Sequence, residues 1–103
     1  MSELRHVVLF GFKEGTSAED IRKVEEGFAA LPSKIDGIKE FEWGTNVSIE
    51  NKNQGFSHCF LVTFEDEAAR DAYIPHQAHQ DFVKVVRPLL TGSLVLDYWS
   101  RPD

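Results

Sequence analysis

Ser57-His58-Cys59-Phe60-Leu61-Val62-Thr63-Phe64 reads as a β-strand with almost no wet side. Side chains alternate across a strand, so His58, Phe60, Val62 and Phe64 share one face, and Ser57, Cys59, Leu61 and Thr63 share the other. The first set is apolar but for its histidine, and the second carries Cys59 and Leu61. Arg5 to Phe12 repeats the pattern. There His6, Val8, Phe10 and Phe12 point one way, and Val7, Leu9 and Gly11 the other. Two such strands predict a sheet covered on both sides.

Outward from these strands, Thr16-Ser17-Ala18-Glu19 is a capping-box sequence, and Ile21, Val24, Phe28 and Leu31 follow at helical spacing. Pro32 and Gly37 mark the predicted exit from this helix. Ile38 to about Val47 sets Phe41 and Trp43 against Glu40 and Glu42, the alternation of an edge strand. A polar turn, Glu50 to Gly55, leads into the third strand. Asp66 is placed to cap a short helix ending at Tyr73 and Pro75. A further helix, about Ala78 to Arg87, carries Phe82, Val85, Val86 and Leu89 on one stripe and stops at Pro88. Gly92-Ser93 then turns into a last strand, Leu94 to Trp99. The order is βαββαβ, an α+β ferredoxin-like sandwich with helices on one face of an antiparallel sheet. Val7, Leu9, Cys59, Leu61 and Val95 are expected on the other face, an apolar surface that needs a partner. A second copy related by a two-fold axis is the simplest one.

The 103 residues make one expected domain, 1–103, and a chain of 11.7 kDa buries about 65% of its unfolded surface without staples. The lone Cys59 excludes an internal disulfide framework. Seventeen acidic residues against eleven basic ones leave a net charge of −6, with no basic face for nucleic acid. No apolar run approaches the ~18 residues of a membrane span. The start of the chain lacks the pattern of a signal peptide. A cytoplasmic protein with neither nucleic-acid nor membrane partner is expected.

Chemistry centres on four histidines. His6 and His58 are in phase with the helix-facing residues, where the ordinary role is a core-edge imidazole bonded to backbone. Tyr73, His76 and His79 follow one another at intervals of three, the spacing of one helical face. No acid or third histidine has ligand spacing beside His76 and His79, so no metal site is expected. Acid–base work suits them better, because imidazole titrates near neutrality and a phenol can donate beside it. Cys59 points away from His58, which disfavours a Cys–His nucleophile and suits a small buried residue.

Several blocks together resemble the stress-responsive dimeric α+β barrel (Dabb) family. They are His6-Val7-Val8-Leu9-Phe10, Trp43-Gly44, Asn46 to Asn51, Gly55-Phe56-Ser57-His58, Val62-Thr63-Phe64-Glu65, Tyr73 to His79, and Leu96-Asp97-Tyr98. The resemblance implies ferredoxin-like monomers that pair sheet to sheet and close a barrel between two subunits. It also implies an apolar pocket under the helices. In a polyketide cyclase of this family, a tyrosine and a histidine flanking a His-Pro-Ala-His block transfer protons in an aldol condensation. Tyr73 and His79 match these catalytic residues. His6 and His58 match pocket-lining histidines, and Lys39 a lysine at the pocket edge. His76 and Phe28 complete the expected substrate contacts, Phe28 standing where that cyclase has a tyrosine. Gln77 replaces the proline of the block, and Pro75 precedes it.

The expected function is thus a homodimeric protein with a pocket for a small apolar carbonyl compound, a cyclase or lyase without cofactor or metal. There His79 acts as base and Tyr73 steadies the enolate oxygen. The alternative is a non-catalytic stress or stability protein acting through assembly or ligand sequestration.

Overall fold

The computed structural model describes residues 2–101. Its elements are β1 (Leu4–Phe12), α1 (Ala18–Lys34), β2 (Ile38–Thr45), β3 (His58–Phe64), α2 (Glu67–Tyr73), α3 (Gln77–Val86), a 3₁₀ turn (Arg87–Leu89) and β4 (Leu90–Trp99). The strands form one antiparallel sheet in the order β2-β3-β1-β4, the ferredoxin-like arrangement expected from the sequence. The helices cover one face. Val24, Phe28 and Leu31 of α1 and Phe82 and Val86 of α3 meet Val8, Phe10, Phe60, Val62 and Phe64 of the sheet. Phe28 lies at the centre of this layer, stacked on Phe60 at 4.3 Å between ring centroids and 5.1 Å from Phe82.

Local chemistry moved several expected boundaries. Ser17, not Thr16, caps α1: its Oγ accepts the Asp20 N–H at 3.0 Å, while the Thr16 hydroxyl donates to the Lys13 carbonyl and closes the preceding turn. α1 also runs past Pro32 to Lys34, because buried Leu31 and Ile35 hold its last turn and the Ile35 N–H reaches the Leu31 carbonyl at 2.9 Å. Val85 is exposed rather than part of the α3 stripe, since Phe82 and Val86, four apart, define the buried face.

β4 starts at Leu90, so Gly92 and Ser93 lie inside it, paired with Gly11 and Phe10. That register places Val95 beside Val8, on the helix side, and corrects its expected place on the open face. Leu94, Leu96 and Tyr98 take that place, opposite Leu9, Val7 and Arg5, and all three are exposed. Cys59 does lie on the open face, but exposed rather than buried, because no second layer covers it.

Candidate functional site

β1 and β4 supply the floor of a cavity of about 470 Å³, and α2 and α3 supply its roof. His6, Val8 and Phe10 rise from β1, and Val95 and Ser93 from β4. Tyr73 enters at the last residue of α2, and His79 stands in the first turn of α3. Three rings line up along the wall. Tyr73 is central, 4.4 Å from the His79 ring and 5.8 Å from that of His6, centroid to centroid. Phe28 and Val86 add apolar surface to the wall.

The polar atoms of these rings are held differently. Tyr73 is buried to 1% exposure, and its hydroxyl has no hydrogen-bond partner among the described residues. Burial pushes its ionisation well above the usual phenol range, so it stays a protonated donor. The Nδ1 of His79 is 2.9 Å from the Ile74 carbonyl. A carbonyl only accepts, so Nδ1 carries the hydrogen and Nε2 presents its lone pair. Burial holds the His79 imidazole below its ordinary value; the Ile74 carbonyl opposes that, and His6 and His76 add to it. His79 is therefore a neutral base near pH 7.

His6 is oriented from behind. Its Nδ1 donates to Asp97 Oδ1 at 2.6 Å, and Asp97 Oδ2 accepts from Arg70 Nη1 at 3.0 Å. The guanidinium keeps the carboxylate in place, and the carboxylate fixes the imidazole so that Nε2 is its free nitrogen. The wall thus combines a neutral base, a buried phenol donor and an imidazole backed by a carboxylate. Such a set can take a proton from carbon and steady the charge left on an oxygen. Among the described residues no three His, Cys, Asp or Glu side chains gather as metal ligands.

The structure brings Tyr73, His79, His6 and Phe28 together, and leaves His58, Lys39 and His76 elsewhere. His58 pairs with Phe10 while His6 pairs with Val62, so the antiparallel ladder sets the two histidines at opposite ends. Both ring nitrogens of His58 are occupied, Nε2 by Glu25 at 2.7 Å and Nδ1 by Ser57 at 2.8 Å, and Trp43 stacks on the ring. Lys39 sits on edge strand β2, exposed, bound to Glu3 at 2.8 Å; that contact raises the ammonium and lowers the carboxyl. His76 caps α3, its Nδ1 accepting the Ala78 N–H at 3.0 Å.

Asp97 and Arg70 were not singled out from sequence. The available signal was Asp97 as an acid in phase with Val95 on the last strand. A wider hollow of about 730 Å³ lies on the open sheet face, walled by Val7, Leu9, Leu61 and Leu94. It holds no histidine with a free nitrogen.

Comparison with known proteins places this chain in a family. The chain is 43% identical over 95 residues to the stress-response A/B barrel domain-containing protein HS1 of Arabidopsis thaliana, covering 92% of this chain and 87% of that protein. It is 30% identical over 98 residues to olivetolic acid cyclase of Cannabis sativa, covering 95% and 97%. Among solved structures it superposes on a dimeric ferredoxin-like protein of unknown function from Jannaschia sp. CCS1 with a TM-score of 0.81, at 29% identity and 93% and 97% coverage. The model of the stress responsive A/B barrel domain, Dabb, matches residues 4–100, and the chain belongs to that family.

Proposed function

We propose that this protein is a homodimer whose helix-side cavity binds a small apolar carbonyl compound and moves protons on it without a cofactor, as a cyclase or lyase. The observation that carries the proposal is the buried, unpartnered hydroxyl of Tyr73, whose ring lies in the cavity wall 4.4 Å from the His79 ring, centroid to centroid. An unmet buried donor is costly in the empty protein and becomes satisfied when a ligand oxygen accepts from it. The similarity to olivetolic acid cyclase supports the same assignment.

In the proposed reaction, His79 Nε2 takes the proton from the carbon next to the carbonyl. The C–H electron pair becomes the enolate π bond, and the carbonyl π pair moves to the oxygen. The Tyr73 O–H donates to that oxygen as its charge grows. The imidazolium formed on His79 keeps its Nδ1–H on the Ile74 carbonyl, so its orientation does not change during the transfer. The enolate carbon then attacks a second carbonyl of the same molecule, and the proton on His79 goes to the new alkoxide. A lyase runs the carbon–carbon step backwards through the same enolate.

Hydrogen exchange at the α-carbon of alkyl and aryl methyl ketones in D₂O, followed by NMR, tests the first step without a known substrate. The wild type is expected to accelerate exchange, and His79→Ala to lose about 10²-fold of it, the scale of a missing general base. Equal exchange with wild type, His79→Ala and Tyr73→Phe rejects the chemistry and leaves ligand sequestration as the role of the cavity.

A further inference from the structure

The cavity is polar at both ends. One end holds His6, Tyr73 and His79, and the other reaches Arg87, where α3 stops, and Ser93 of β4. Between them the wall is apolar, with Val8, Val83, Val86 and Val95 among its residues. Two independent rulers give the length. His79 to Arg87 is eight residues along α3, about 12 Å at the helical rise. Asp97, the partner of His6, to Ser93 is four residues along β4, about 13 Å at the strand rise. Both rulers bound the same cavity, because residues of α3 and of β4 line it and the turn that starts at Arg87 joins the two elements.

Arg87 is the sole lysine or arginine of the cavity wall among the described residues. It is exposed and has no carboxylate within ion-pair distance among the described residues, so its guanidinium is open to a ligand. Ser93 faces the same side of the sheet as Val95, and its hydroxyl makes no hydrogen bond among the described residues. Both side chains line the same cavity, and a guanidinium is a fork that suits a planar carboxylate.

We infer that the cavity selects amphipathic oxo-acids, in which an apolar spacer separates the carbonyl from a carboxylate that Arg87 and Ser93 hold about 12 Å away. This rests on the proposed reading of the His79–Tyr73 end as the carbonyl site. It assigns the opposite end to an anion rather than to a plain alkyl tail. The spacer lies along the valines, and a reversed ligand would give up the Arg87 guanidinium for the neutral Tyr73 and His79 side chains.

Calorimetric titration with decanoate and with decanol, which share a chain and differ in the charged end, tests the inference. Wild type should prefer decanoate, and the preference should shrink with added salt. Arg87→Gln should weaken decanoate about five- to tenfold and leave decanol unchanged, a range that allows for the exposure of this arginine. Arg87→Lys should keep part of the preference. A purely structural role of Arg87 at the negative end of α3 would lower thermal stability and leave the preference intact. An intact preference in Arg87→Gln, or its loss in His6→Asn instead, overturns the inference. So does failure of both compounds to bind. Loss of ketone exchange in wild type with the Arg87-dependent preference present would reject the catalytic reading alone.

Discussion

Tyr73 pays twice for its position: its ring fills the gap between His6, Phe64 and His79, while its hydroxyl gives up water and gains no partner. A buried, unsatisfied polar group costs about 1–3 kcal/mol. Tyr73→Phe keeps the ring and removes that cost, so the ligand-free variant should be more stable by about 1 kcal/mol, a rise of about 4–8 °C in Tm for a chain of this size. The same variant should lose ketone exchange, and thermal melts run beside the exchange assay check both. An unchanged or lower Tm would mean that the hydroxyl is satisfied in solution. At this scale the sequence was half legible. Spacing grouped Tyr73 and His79 with His76, the family resemblance singled out the pair, and strand alternation gave the inward phase of His6. The partners of His6 were not, because Asp97 meets it only through the β1–β4 register and Arg70 arrives from a different element. His58 was misplaced for the same reason: alternation tells which face a side chain takes, not which end of the sheet.

At the scale of elements, the joint between α1 and β2 sets where α2 lies. Gly37 has φ of +96°, and a Cβ there would fall 2.7 Å from the Cβ of Ala69 in α2. The Gly37 carbonyl also accepts the Glu65 N–H at 3.0 Å, tying this joint to the end of β3. Gly37→Ala therefore combines an unfavourable backbone conformation with a clash that only a shift of α2 relieves. A loss of about 1–3 kcal/mol in urea unfolding is expected. If α2 shifts, Tyr73 shifts with it, and ketone exchange should fall beyond what the stability loss explains. Gly37 was legible as a helix exit, whereas the true end of α1 was not. Pro32 looked like a stop, but burial of Leu31 and Ile35 outweighs the single backbone donor that proline lacks. Gly92-Ser93 likewise looked like a turn, and the ladder to β1 draws both residues into β4.

Over the whole molecule, the open sheet face is the largest feature that one chain leaves unfinished. Leu94, Leu96 and Tyr98 are 43%, 57% and 43% exposed there, beside half-buried Val7, Leu9 and Leu61. An apolar face of this kind fits a second copy, and the related protein from Jannaschia sp. CCS1 is described as dimeric. Leu96→Asp alters a side chain that is mostly exposed in the single chain, so it should spare the fold and oppose pairing. Sedimentation is expected to show a wild-type dimer and a monomeric variant at micromolar concentration; a monomeric wild type overturns the assignment of this face. The need for a partner was legible in the two-faced strands, but the identity of the β4 residues supplying it waited on register. That register also governs how the protein is made. β1 joins β4 along nearly its full length, from Leu4 with Trp99 to Phe12 with Leu90. Contacts between segments so far apart in the chain are slow to form, since a long loop must close before any of them is gained. Residues from Leu90 onward are the last of these elements to leave a ribosome. A nascent chain that has already folded α1 against β1 and β3 still lacks Asp97, Val95 and Ser93. The cavity cannot exist in any species without that final ladder, whatever else has folded.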